Sequence, residues 1–346
     1  MIDWRRAEQL AARVAGSPEL SGPSVEQLEG LSEQSLAAVV DYAQLDPRGP
    51  VPHAEAVTRA EWISANTASL RPLLDPAVEK IGAKSGRSGS GMRLVAAATL
   101  TLEAGAVLGL LSRRVMGQYD LALVGGDDRP PPRLLFVAPN LAAAQSAFGG
   151  ASDDDFIRWV AVHELTHAVQ FGAVDWLRPY LGGIASQLLA SLENSSGVRR
   201  RPIKDLARDF VDRAGRGVAT RDPMAVMLSR EDHQLVGKMQ AAMTVVEGHA
   251  EHVMDAAGAA AIPSLPQLRA AMVERRQAPG PLWRILGKVL GMEMKMRQYE
   301  MGRVFCNQGV REAGVVGLNR VWESPEALPS LAEIAEPQIW LERIGA

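Results

Sequence analysis

"SDDDFIRWVAVHELTHAVQFG", Ser152–Gly172, reads as one helix with both ends marked. Ser152 precedes three aspartates, with Asp155 three residues on. That is a start signal, because the hydroxyl accepts an orphan backbone amide and acidic side chains favour the positive end of the helix. Gly172 supplies the expected stop. At about 100° per residue, His163 and His167 differ by roughly 40° and one turn of rise, so both imidazoles leave the same face toward one point. Two neutral imidazoles so placed suit Zn²⁺. Glu164, one step round from His163, can reach a water on such an ion but is angled away from joining the histidines as a third ligand. The competing reading is a pair of buried, hydrogen-bonded structural histidines. The capped helix, the apolar Val160, Val162, Leu165 and Val169 around the pair, and a hairpin directly upstream favour the metal.

The rest of the chain narrows the function classes. Its 346 residues, 47% of them hydrophobic, can bury one large core or two modest ones. With 22% charged residues and a net charge of only -3, no broad field steers nucleic acid or an anionic membrane toward the surface. The basic run "RRRPIK", Arg199–Lys204, reads as a solvated loop. Cys306 is the single cysteine, which excludes an intrachain disulfide framework and a cysteine-rich metal cluster, and suits the cytoplasm. The N-terminus "MIDWRRAEQLAARVAG" carries charges where a signal peptide needs its apolar centre. "LVAAATLTLEAGAVLGLLS", Leu94–Ser112, is apolar enough to raise the question of a membrane span, but Glu103 within it argues for a buried helix and no stable membrane insertion.

Helical patterns broken by turns fill residues 1–81, an N-terminal helical segment expected to pack on the core. A Gly/Ser-rich linker or loop spans 82–91, and residues 92–346 form the remaining domain, unless all of it is one continuous unit. "YDLALVGGDDRPPPRLLFVAP", 119–139, has two β-prone runs flanking a Gly/Asp/Pro turn, as an antiparallel hairpin would. It is the only convincing sheet signal. The expected fold class is mainly α with a small antiparallel β element, an α+β arrangement.

A zinc site needs a third protein ligand, and a catalytic one keeps its fourth position open. The plausible source is "TVVEGHAEHVMDAAG", Thr244–Gly258. Glu247, Glu251 and Asp255 recur every four residues along one helical face, while His249 points nearly opposite to Glu247. The residues alone leave Glu247, His249 and Glu251 open as ligands, beside a solvent-facing acidic stripe.

Four stretches, "RLLFVAPN", "VAVHELTHAVQF", "VVEGHAEHVMD" and "MKMRQYEMGRVFC", together resemble the zincin metallopeptidases. More narrowly, the chain resembles the zincin-like proteins first catalogued as a domain of unknown function in high-GC bacteria and associated by name with deazaflavin-coenzyme biosynthesis. That association is a naming habit and carries no evidence of a role in the pathway. The resemblance extends over most of the chain. It implies a zincin-like core with additional helices, an active-site helix preceded by a sheet whose edge strand holds substrate, and one catalytic Zn²⁺. The metzincin arrangement is absent, because Gln170 and Ala173 stand where its glycine and third histidine would.

The gluzincin pattern implies Glu247 as the ligand, with Glu251 one turn on accepting the free ring N–H of His163 or His167. Glutamate at 251, where that pattern usually has aspartate, leaves the register open by one turn, toward His249 or Glu251. Gly248 would let two helix backbones approach closely. Tyr299 in "RQYEMG" could stabilise an oxyanion, although a packing tyrosine with a satisfied hydroxyl is the better reading. The implied activity is a zinc-dependent metallohydrolase, a peptidase acting on a peptide or protein with Glu164 as general base. The alternatives are a non-catalytic zinc scaffold that binds a peptide or protein partner, and a hydrolase of a non-peptide amide.

Overall fold

The computed structural model describes residues 2–16, 21–84, 90–125, 129–145, 148, 152–195, 230–277 and 292–345. The basic run 199–204 and residues 85–89 of the expected linker lie outside the described residues. In chain order the elements are α1 (Trp4–Ala15), α2 (Val25–Ala43), β1 (Ala54–Val57), α3 (Arg59–Lys84), α4 (Ser90–Leu111), β2 (Gly117–Asp120) and β3 (Arg133–Val137). There follow α5 (Ala138–Gln145), α6 (Asp153–Ala173), α7 (Leu177–Ser195), α8 (Arg230–Ala261), α9 (Leu265–Gln277) and α10 (Met292–Asn319). A short 3-10 turn at Arg320–Trp322, α11 (Leu331–Ala335) and α12 (Pro337–Ile344) complete the order. The architecture is mainly helical with one small sheet.

Helix α6 is the centre of the molecule. Between Phe156 and Gln170 every residue except Arg158 and His163 is buried. Apolar side chains recur around most of this stretch, and neighbours cover it on several faces. Ser152 Oγ accepts from the Asp155 amide at 3.1 Å, as the start signal requires. The helix runs one residue past the expected stop. Gly172 instead admits Pro47, which a Cβ would meet at 2.9 Å. Helix α2 packs along one side of α6 and α8 along another, sharing a core that includes Leu28, Phe136, Ile157, Leu165 and Val253.

The sheet has the order β1-β3-β2. β2 and β3 are antiparallel, with Gly117 opposite Phe136 and Asp120 opposite Arg133, so the expected antiparallel pairing forms, its first strand starting two residues before the expected range and ending at Asp120. β1 was not expected; it lies parallel to β3, pairing Ala54 with Leu134 and Val57 with Val137. Four residues, "AEAV", give too short a run for an alternation signal, and the partner is distant in sequence. β3 is therefore a central strand, with Leu134 and Phe136 in the α6 core and Leu135 and Val137 in a second cluster with Trp62, Ile63 and Leu108. The N-terminal segment thus contributes a strand as well as helices.

Helix α4 differs from expectation in one respect. Only one face is buried, while Leu94, Val95 and Leu102 are exposed. Small residues explain this: a Cβ on Gly105 would lie 2.7 Å from the Ala7 carbonyl oxygen, and one on Gly109 2.6 Å from that of Ala11. The backbones of α1 and α4 meet on that side, and the leucines of the opposite side have no need to be inside. Among the described residues, no helix is long and apolar enough to cross a membrane.

Helix α8 is gripped from its other side by α10. A Cβ on Gly248 would lie 2.2 Å from the Gly302 carbonyl carbon, and one on Gly302 2.1 Å from the Thr244 carbonyl oxygen. The close approach expected at Gly248 is therefore met by a second glycine. Replacing Gly248 by Ala should force the helices apart and lower stability by about 1–3 kcal/mol, the usual range for overpacking. Chemical denaturation checks this, and an unchanged midpoint would mean that the crossing has room to spare.

Candidate metal centre

His163 and His167 extend from neighbouring turns of α6, and their Nε2 atoms are 3.2 Å apart. The rings meet nearly edge-on, at an interplanar angle of 88°. Glu247 arrives from α8, with Oε2 3.7 Å from His163 Nε2 and 3.5 Å from His167 Nε2. Three potential ligand atoms from two helices therefore surround one point. The cluster is half-buried, and access comes on the His163 side, where the side chain is 23% exposed against 11% for His167. A second group, Glu29, Glu33 and His53, lies toward the surface, with His53 Nδ1 2.6 Å from Glu29 Oε1.

The charges respond to one another. Burial would push His167 down, but Glu247, helped by Glu164 and Gln170, carries it up to about 9. Burial would raise Glu247, yet His167 and His163 hold its carboxyl below the usual range. With two histidines and a carboxylate this close, the cluster favours a cation at its centre, whether a proton or a metal ion.

Glu164 is buried and is not one of the three converging groups. Its Oε2 accepts from the Tyr119 amide of β2, an edge strand of the sheet, at 2.9 Å. The strand comes this near only because residue 117 is glycine, where a Cβ would lie 2.7 Å from Glu164 Cγ and 3.0 Å from Val160 Cγ1. The carboxylate therefore joins the helix of the histidines to the sheet edge. Next to that edge, Pro47, Pro50, Val51, Tyr119, Phe171 and Arg178 contribute to the lining of a cavity of about 160 Å³.

The other residues singled out in the sequence have different neighbours. His249 is buried against Trp322, at a ring-centroid distance of 5.4 Å, and its Nδ1 lies 3.0 Å from Gln170 Nε2. Burial, with His252 and His167 nearby, pushes it down to about 3, so it is neutral. Glu251 is held by Arg269 of α9, whose Nη1 donates to Oε2 at 2.5 Å and whose Nη2 donates to the Glu251 carbonyl at 3.0 Å. Arg269 also pairs with Asp255.

The group that meets the Nδ1 of His167 is Gln170, through Oε1 at 2.9 Å, where Glu251 had been one expected partner. Four residues past Glu247 is about 6 Å farther along α8, within reach of Arg269. The sequence offered one cue to Gln170, its place three residues after His167 and so on a neighbouring helical face. The Tyr119 amide had none, since a backbone donor leaves no mark in side-chain pattern. Tyr299 falls where only the backbone is described.

The family model described as "Zincin-like metallopeptidase" matches residues 2–341. Among solved structures, one from Chloroflexus aurantiacus, described as a "putative hydrolase with a novel fold", is similar at 30% identity and a TM-score of 0.72, over 100% of this chain and 99% of that one. No curated protein matches. If the cluster takes a divalent ion, zinc at about 100 times its dissociation constant should stabilise the folded protein by about 2.7 kcal/mol. His163→Ala should abolish that gain in a thermal-shift titration, and an equal gain in the variant would place the ion elsewhere.

Proposed function

The chain belongs to the zincin-like metallopeptidase family, and from that premise we propose that it is a zinc-dependent peptidase in which His163, His167 and Glu247 hold the ion and Glu164 is the general base. The observation that carries this reading is the spacing of the three ligand atoms. Zinc bonds of about 2.0–2.1 Å at tetrahedral angles place neighbouring ligands roughly 3.3 Å apart. Separations of 3.2, 3.5 and 3.7 Å lie close to that requirement, so the residues fit the ion. Two imidazoles and a carboxylate are also the donor set that leaves a catalytic zinc with an open position. Bound there, zinc would supply Lewis-acid activation of a water molecule and of a substrate carbonyl.

The chain's own groups do the rest. Glu164 keeps Oε2 on the Tyr119 amide and has Oε1 to take a proton from the attacking water, then return it to the leaving nitrogen. The backbone anchor fixes the carboxylate relative to the sheet edge, so base and substrate are positioned by the same strand. An extended peptide laid along β2 would be aligned by main-chain hydrogen bonds. Its side chains would meet the cavity lined by Pro47, Pro50, Tyr119, Phe171 and Arg178. Peptide or protein is therefore the proposed substrate class.

Glu164→Gln should keep zinc stoichiometric by elemental analysis while cutting peptide turnover by about 10²–10⁴-fold, the usual worth of a positioned base. Wild-type-like turnover in that variant would remove Glu164 from the reaction. Glu247→Ala should lose the metal itself. Stoichiometric zinc in wild type with no cleavage of a broad peptide library would instead favour a binding scaffold.

A further inference from the structure

Gln170 is fully buried between α6 and α8, and its amide has a partner for each of its roles. Nε2 donates to the Val246 carbonyl at 2.9 Å and lies 3.0 Å from His249 Nδ1, while Oε1 faces His167 Nδ1 at 2.9 Å. The directions follow from chemistry. A backbone carbonyl only accepts, so Val246 turns the amide nitrogen toward α8 and leaves the amide oxygen toward His167. An amide oxygen also only accepts, so His167 Nδ1 must carry a hydrogen. In the neutral ring the lone pair is then on Nε2, the atom that faces His163 and Glu247.

The same amide joins the two ligand-bearing helices. Its acceptor on α8 is the carbonyl of Val246, the residue immediately before Glu247. A shift of either helix would lengthen a buried hydrogen bond. We propose that Gln170 is the positioning residue of the metal centre: it sets the tautomer and ring orientation of His167, and holds α6 and α8 at ligand distance whether or not metal is present. This inference rests on the proposed function, since it assigns a partner to that site's own ligand. Groups that orient a ligating imidazole commonly contribute about 10–100-fold to metal affinity.

The test is zinc affinity of the full chain, measured with zinc alone against a chromophoric chelator, for wild type, Gln170→Leu and Gln170→Glu. Thermal melts of the metal-free proteins serve as the fold check. Gln170→Leu should bind about 10–100-fold more weakly, because nothing accepts from Nδ1. Gln170→Glu restores that acceptor but not the donor to Val246, and should recover part of the affinity, binding more tightly than Gln170→Leu. A role in packing alone predicts the reverse order, since leucine fills the space and the carboxylate buries a charge.

Unchanged affinity in Gln170→Leu, or the reversed order, overturns the inference while leaving the proposed function intact. Wild type that binds no zinc sinks both. Should the variants not fold, cobalt-loaded wild type decides the matter by proton spectroscopy in water. A paramagnetically shifted imidazole N–H that exchanges slowly with solvent is expected from His167, and its absence overturns the assignment.

Discussion

The structure depends on the distance between two helices. To hold the proposed zinc, three candidate ligand atoms on α6 and α8 have to converge to within a few tenths of an ångström of a tetrahedral spacing, and no rotamer choice can rescue helices that sit too far apart. Both helices are fixed by their surroundings. α6 is enclosed on nearly every side by α2, α8 and the sheet, and α8 is held from behind by the glycine contact with α10. Cores packed this densely resist small displacements, and that stiffness passes to the side chains they carry.

A second consequence concerns charge. Glu247 and His167 sit where burial alone would neutralise them, and each is held in its charged form chiefly by the other. Such an arrangement is costly unless a cation occupies its centre. Glu164, one residue from His163, is not one of the three converging groups, and its Oε2 is held by the Tyr119 amide. The helix thereby presents two kinds of chemistry, candidate ligands on one face and a carboxylate anchored to the sheet on the next. Gly117 makes the separation possible, because any side chain at that position would push the strand away from the helix.

Much of this was legible in the sequence because it is local. The cap at Ser152 and the shared face of His163 and His167 are set by neighbours three or four residues apart, and the β2–β3 pairing joins runs that follow one another in the chain. Glu247 as the candidate third ligand required the family resemblance, since the residues alone left His249 and Glu251 open. What separates the three residues is the contacts of α8 with other helices: Arg269 of α9 holds Glu251, and Trp322 and Gln170 enclose His249. β1 was missed because its partner is some eighty residues away in sequence. The half-exposed face of α4 was missed because glycines that admit another backbone resemble, in one dimension, the small residues of a buried helix. Gln170 was read only as the absence of another family's glycine, and its three partners lie on two helices.

The most direct measurement is an anomalous difference map at the zinc absorption edge, from crystals of protein purified without added metal. A single peak about 2.0–2.2 Å from His163 Nε2, His167 Nε2 and a Glu247 carboxylate oxygen, with no fourth side chain on the ion, is the predicted result. A peak at another cluster, or one here closed by a fourth protein ligand, would contradict the account.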